Sequence, residues 1–168
     1  MGPSEPFHEH CPKIGFSEYR SMRLRGDEDL PDGEYGFMEL YCTDPKCDCR
    51  RVIFFVTDPS QSAEPLATLG YGWESPEFYV KWMHGHPDAA EMAGLSIEIM
   101  APQSRLADGL LRACKEHLVS DPLYVERLKR HYALFKRAIL RRDLRDALHR
   151  EVKQLYAPFQ RELRDEME

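Results

Sequence analysis

No run of about 18 apolar residues occurs in this 168-residue chain, so no membrane-spanning helix is expected. The first ten residues, Met-Gly-Pro-Ser-Glu-Pro-Phe-His-Glu-His, carry no basic stretch followed by an apolar one. A secretory signal is therefore not expected, and a cytoplasmic protein is the default. There is no phosphate-loop Gly-Lys-Ser/Thr pattern and no nucleophile elbow. Serines and histidines are present, but no spacing ties them into a triad. Internal repeats and low-complexity tracts are absent as well. The chain carries no catalytic signature.

Hydrophobic residues make up 42% of the chain, enough for one real core, and the length suits a single domain. The net charge of −6 is unevenly placed. Residues 127–153 hold ten Lys/Arg against three acids, a net +7, whereas residues 1–126 hold eleven against twenty-two, a net −11. The basic run at 127–142 is a candidate contact for a protein or nucleic-acid partner. Complementarity with the acidic body of the same chain is the favoured explanation.

Five cysteines are present, and three of them, Cys42, Cys47 and Cys49, fall within eight residues. Such clustering in a cytosolic chain points to metal binding rather than disulfides. Cys47 and Cys49 lie on the same side of an extended segment, and the turn at Asp44-Pro45 can bring Cys42 back to meet them. Three thiolates so close suit a borderline-soft cation, and Zn2+ is the common choice. Backbone N–H groups of a tight loop can also donate to the sulfurs. Tetrahedral zinc needs a fourth ligand: Cys11 is the first candidate and His10 the second, because His-Glu-His-Cys sits in an arm that needs an anchor. His8, His84, His86 or a water are the other possibilities. A closed set of four protein ligands is structural, whereas a water leaves a catalytic position.

His84-Gly-His86 with Asp88 could form a second metal site, but loop histidines without a function are commoner. His117, His131 and His149 are expected on helix surfaces or partly buried. Gly70-Tyr-Gly-Trp-Glu74 could stack a ligand or nucleobase. The favoured expectation is a strand that feeds its aromatics to the core, its glycines marking a bulge or a close approach.

The pattern of elements predicts an α+β domain. Residues 1–33 read as an irregular arm. Strands are expected at 34–42, 51–57, 66–73 and 95–100, with the cysteine loop at the tip of the first hairpin. The run at 51–57 is nearly continuously apolar, as expected of a strand buried on both faces or central in the sheet. Residues 77–83 fit either a helix, from Ser75-Pro76, or a strand, from Phe78-Tyr79-Val80. A loop is expected at 58–62. From Leu106 the period changes: Leu106, Leu110, Cys114 and Leu118 form one helix. Asp121-Pro122 starts another carrying Leu128, Tyr132, Phe135 and Ile139, and Leu144, Leu148, Val152 and Leu155 mark the last. Pro158 should end or kink it. The domain expected is thus a small, mostly antiparallel sheet at 34–100 with a zinc-binding hairpin, followed by two or three C-terminal helices at 104–157 and a tail at 158–168.

Tyr41-Cys-Thr-Asp-Pro-Lys-Cys-Asp-Cys-Arg-Arg-Val52 resembles a cysteine cluster in a family of uncharacterised bacterial proteins. Gly70-Tyr-Gly-Trp-Glu74 with Phe78-Tyr-Val-Lys-Trp82, and Leu128-Lys-Arg-His-Tyr132, resemble further segments of that family. The resemblance runs from about residue 32 to 140 and implies that these segments share one domain. It brings no established activity.

The function expected is a zinc-binding protein with a structural metal, acting as a protein- or nucleic-acid-binding module and not an enzyme. The alternative is a metal-dependent hydrolase that uses an open position on the metal, with Glu39 or Glu74 as base. Thiol redox chemistry at Cys42, Cys47 and Cys49 is a third possibility.

Overall fold

A computed structural model of the chain describes residues 3–60 and 64–165. Residues 1–2 of the expected arm, Gln61 and Ser62 of the expected loop, and residues 166–168 of the expected tail lie outside them. Six strands form one antiparallel sheet: β1 (Ser4–Pro6), β2 (Arg20–Leu24), β3 (Gly33–Cys42), β4 (Arg51–Thr57), β5 (Ala67–Gly72) and β6 (Gly94–Ile97). The order is β1-β3-β4-β5-β6, with β2 pairing β3 on the same edge as β1. Five helices accompany it: α1 (Phe7–His10), α2 (Pro12–Ser17), α3 (Pro76–Trp82), α4 (Ala107–His117) and α5 (Pro122–Asp165). The fold is α+β, with a mostly antiparallel sheet followed by C-terminal helices. Among the described residues no helix is long and apolar enough to cross a membrane.

Alternation along the strands decides which face is covered. Tyr35, Phe37 and Tyr41 on β3, Val52, Phe54 and Val56 on β4, and Ala67 and Leu69 on β5 all point inward. They meet Leu110, Ala113 and Cys114 of α4 and Tyr124, Leu128, Phe135 and Ile139 of α5 in one cluster. Aromatic edges set the spacing inside it: Phe37 and Phe54 meet edge-on at 5.9–6.2 Å, as do Phe7 and Tyr41.

The arm before residue 33 and the course of the last helix differ from the sequence expectations, for physical reasons. The described part of the arm is built: α1 packs on β3 and α5, α2 packs on α1, and β1 and β2 pair β3, with Ser4 opposite Cys42 and Met22 opposite Tyr35. Its low apolar content hid this, because backbone pairing to an existing edge needs no hydrophobic run. Residues 76–82 are helical, with the Ser75 hydroxyl accepting from Phe78 N at 3.4 Å and Pro76 in the first turn. β4 is central in the sheet, yet Ile53 and Phe55 on its outer side are only half buried, so the second face is not closed over. Finally, α5 runs unbroken from Pro122 to Asp165, through Pro158. Arg141-Arg142-Asp143 contains no helix breaker.

Candidate metal centre

Cys42 closes β3, and Cys49 lies two residues before β4. Between them Asp44 turns the chain: its carboxylate accepts from Lys46 N at 2.9 Å and its carbonyl from Cys47 N at 3.1 Å. Arg50 takes a left-handed conformation, φ 47°, to re-enter the sheet. Tyr79 of α3 donates to the Arg50 carbonyl at 2.8 Å, and the Arg50 guanidinium lies 4.7 Å over the Phe78 ring. From the other side, α5 grips the loop. Tyr132 donates to the Cys47 carbonyl at 3.2 Å and Lys136 to the Asp44 carbonyl at 2.7 Å. Trp73 stands edge-on to Tyr132 at 5.4 Å. The three segments singled out in the sequence, 41–52, 70–82 and 128–132, therefore meet at this loop.

The loop brings the sulfurs of Cys42, Cys47 and Cys49 within 4.8 Å of one another. A tetrahedral ion with metal–sulfur bonds of about 2.3 Å sets its sulfurs about 3.8 Å apart, so the trio can hold a metal ion. Cys42 and Cys49 are buried and Cys47 is half exposed. The donor set asks for a cation. Burial first, and then the neighbouring Cys49 and Cys42, push the Cys47 thiol up to about 12. Burial also raises Cys49, against the pull of Lys136 and of a hydrogen bond from Arg51 N. Three thiolates in this space need a positive charge between them. Among the described residues no other group of three His, Cys, Asp or Glu brings its ligand atoms so close, and no disulfide joins any of the five cysteines.

Cys11 and His10, expected to complete the tetrahedron, lie outside that group. Cys11 sits at the junction of α1 and α2, where its N–H closes α1 on the Phe7 carbonyl and its thiol is raised by burial. The His10 ring contacts the Glu5 carboxylate at 2.5 Å and the edge of Phe135 at 4.9 Å. Among the described residues His84 and His86 gather no third ligand; His86 lies 3.9 Å from Asp88. Of the two carboxylates expected as bases, Glu74 pairs with Arg50 beside Cys49 at 3.1 Å, and Glu39 bonds Tyr41 and His131.

Glu39 belongs to a site the sequence reading missed. Its carboxylate accepts from Tyr41 at 2.8 Å and shares a hydrogen with His131 Nδ1 at 2.7 Å. His131 is 1% exposed, not a surface residue, because it lies on the α5 stripe between Leu128 and Phe135. Phe7 stacks on it at 4.3 Å, and Glu18 of the arm reaches its Nε2 at 3.1 Å and also pairs with Arg130. The signal was present. Phe37, Glu39 and Tyr41 alternate to the same inward face, so the glutamate had to be buried and partnered.

Gly70 and Gly72 mark close approach rather than a bulge, since β5 keeps regular register with β4 from Ala67 to Gly72. A Cβ at Gly70 would collide with the Glu98 carboxylate and the Arg51 guanidinium, which pair at 2.6 Å across the sheet. One at Gly72 would strike the Met92 carbonyl and the Tyr79 hydroxyl.

Comparison with protein-family models, with curated proteins and with solved structures finds no match.

Proposed function

We propose that Cys42, Cys47 and Cys49 bind one zinc ion with a structural role, and that the protein is a non-enzymatic module that binds a protein partner through α5. The single observation behind this is the convergence of three sulfurs, within 4.8 Å, at a loop gripped by Tyr132 and Lys136 of α5. A metal there closes the loop and fastens the β3–β4 hairpin to that helix, supplying folding energy that few apolar residues of the loop can give.

A protein partner fits better than nucleic acid because the cations of 127–142 are largely spent inside the fold. Arg127 lies 4.4 Å over Tyr124 and 4.0 Å from Glu39, Arg130 pairs with Glu18, and Lys136 is bound to the loop. Arg142 reaches Glu5 at 3.2 Å and Lys129 reaches Glu126 at 2.8 Å. This is the internal complementarity expected from the charge partition, and it leaves few cations for phosphates.

The test is elemental analysis of protein purified without chelator, with alanine variants at each cysteine. The expected result is one zinc per chain, lost in Cys42→Ala, Cys47→Ala and Cys49→Ala. Cys11→Ala distinguishes a fourth protein thiolate, which lowers the zinc content, from a solvent or partner atom, which leaves it unchanged. Folded protein that carries no transition metal overturns the proposal.

A further inference from the structure

Among the described residues two apolar surfaces are left without a covering element, and they complement each other. The first is the far half of α5. A helix of 44 residues is about 66 Å long, whereas a domain of this size has a radius of gyration of about 15 Å. The helix therefore overhangs. Its last fully buried residue among those described is Ile139. From the next position Leu140, Leu144, Leu148, Val152 and Leu155 form a stripe between 40% and 69% exposed. One residue turns a helix by about 100°, so this stripe faces away from the one that ends at Ile139. Within 140–153 its flanks hold five Lys/Arg against three acids.

The second surface is the outer face of the sheet. Leu40, Ile53, Phe55 and Thr68 line a shallow depression of about 220 Å³. Past Glu98 and Met100 it continues into a groove of about 460 Å³ floored by Trp82, Met83 and Met92. Ile99 and Met100 stand on the lip, 86% and 96% exposed. Arg51 offsets Glu98 inside the groove, and Asp88 and Glu91 leave its rim acidic, where the flanks of the helix stripe are net basic.

We propose that two copies of this chain dock reciprocally, the 140–157 part of α5 of each lying in the outer sheet groove of the other. This names the partner for the interaction helix of the preceding section and rests on that reading of α5. A helix stripe laid on an open sheet face restores the missing second layer of the domain. Opposite charge at the rims favours the groove over a second α5, whose flanks carry the same sign. Because the docking is reciprocal, a two-fold axis relates the copies and the assembly closes at two, whereas one-way docking would propagate into a chain. It occurs twice, so each half need supply only about half of the roughly 1,200–2,000 Å² of a stable interface.

Light scattering behind size exclusion, with zinc quantified in the same peak, tests this. The expected mass is twice 19.6 kDa. Leu144→Glu/Leu148→Glu and Ile99→Glu/Met100→Glu change only exposed residues, and circular dichroism checks their fold. Each pair of changes should weaken dimerisation at least tenfold. Mixed together, the two variants regain one intact contact, an unaltered arm in an unaltered groove, so the mixture dimerises where neither variant does alone. A monomeric wild type with full zinc overturns the docking and leaves the metal proposal standing; a zinc-free dimer does the reverse. A dimer that survives Ile99→Glu/Met100→Glu overturns the docking in favour of α5 pairing with α5.

Discussion

Removing Cys49 is the sharpest test of what holds the cysteine loop. Cys49 is 1% exposed, and its thiol is one of three that would surround the ion. Without metal, the loop keeps only two hydrogen bonds to α5, from Tyr132 and Lys136, together worth about 2 kcal/mol net. A bound ion at about 1,000 times its dissociation constant adds about 4 kcal/mol. For a domain of this size 1 kcal/mol moves the melting temperature by about 2–4 °C, so loss of the ion lowers it by roughly 8–16 °C. Differential scanning calorimetry of wild type and Cys49→Ala, each with and without chelator, reads this out. Chelator should bring the wild type down to about the level of the variant and leave the variant itself unmoved. The small cavity left by the lost sulfur adds about 1 kcal/mol to the variant alone, well short of the chelator effect. A wild type whose melting temperature ignores the chelator refutes the reasoning, whatever the variant does.

Gly72→Ala drives a methyl into the Met92 carbonyl, which is backbone, and into the Tyr79 hydroxyl, and should cost about 2–3 kcal/mol in urea unfolding; a cost below about 0.5 kcal/mol contradicts the close approach. Glu18 is held below its ordinary value of 4.5, first by its hydrogen bond to Arg130 and then by His131. Its folded value is the lower one, so its stabilising effect is complete above the unfolded value and fades as pH falls through the folded one. Acid unfolding of Glu18→Gln should therefore show a flatter pH dependence than wild type below about pH 5, and identical curves contradict this pairing. Charge reversal at Arg137 and Arg141 should leave any affinity for heparin or duplex DNA nearly unchanged, as measured by salt-dependent retention; a tenfold loss restores the nucleic-acid reading.

The hairpin and its cysteines were legible because short-range pattern specifies them: alternation of Tyr35, Phe37 and Tyr41, a proline turn, and thiols at short spacing. What the pattern could not show is long-range pairing. Glu39 and His131 are 92 residues apart, and only the inward parity of Glu39 hinted at the partner. The helix at 122–165 read as two because its apolar stripe jumps sideways between Ile139 and Leu140. A change of face looks like a change of helix when no break residue is required. The arm was misread because β1 and β2 owe their form to a strand edge already made by β3, not to their own composition.

That edge carries a practical consequence. β1 and β2 together cover most of the outer side of the ten-residue β3. A shortened protein starting at residue 33 would keep the sheet's interior strands yet present a long row of unpaired amides and carbonyls. Such rows recruit strands from other molecules. The strands and helices before residue 33 thus act as a guard against clumping, and trimming them should yield insoluble material even with Cys42, Cys47 and Cys49 intact.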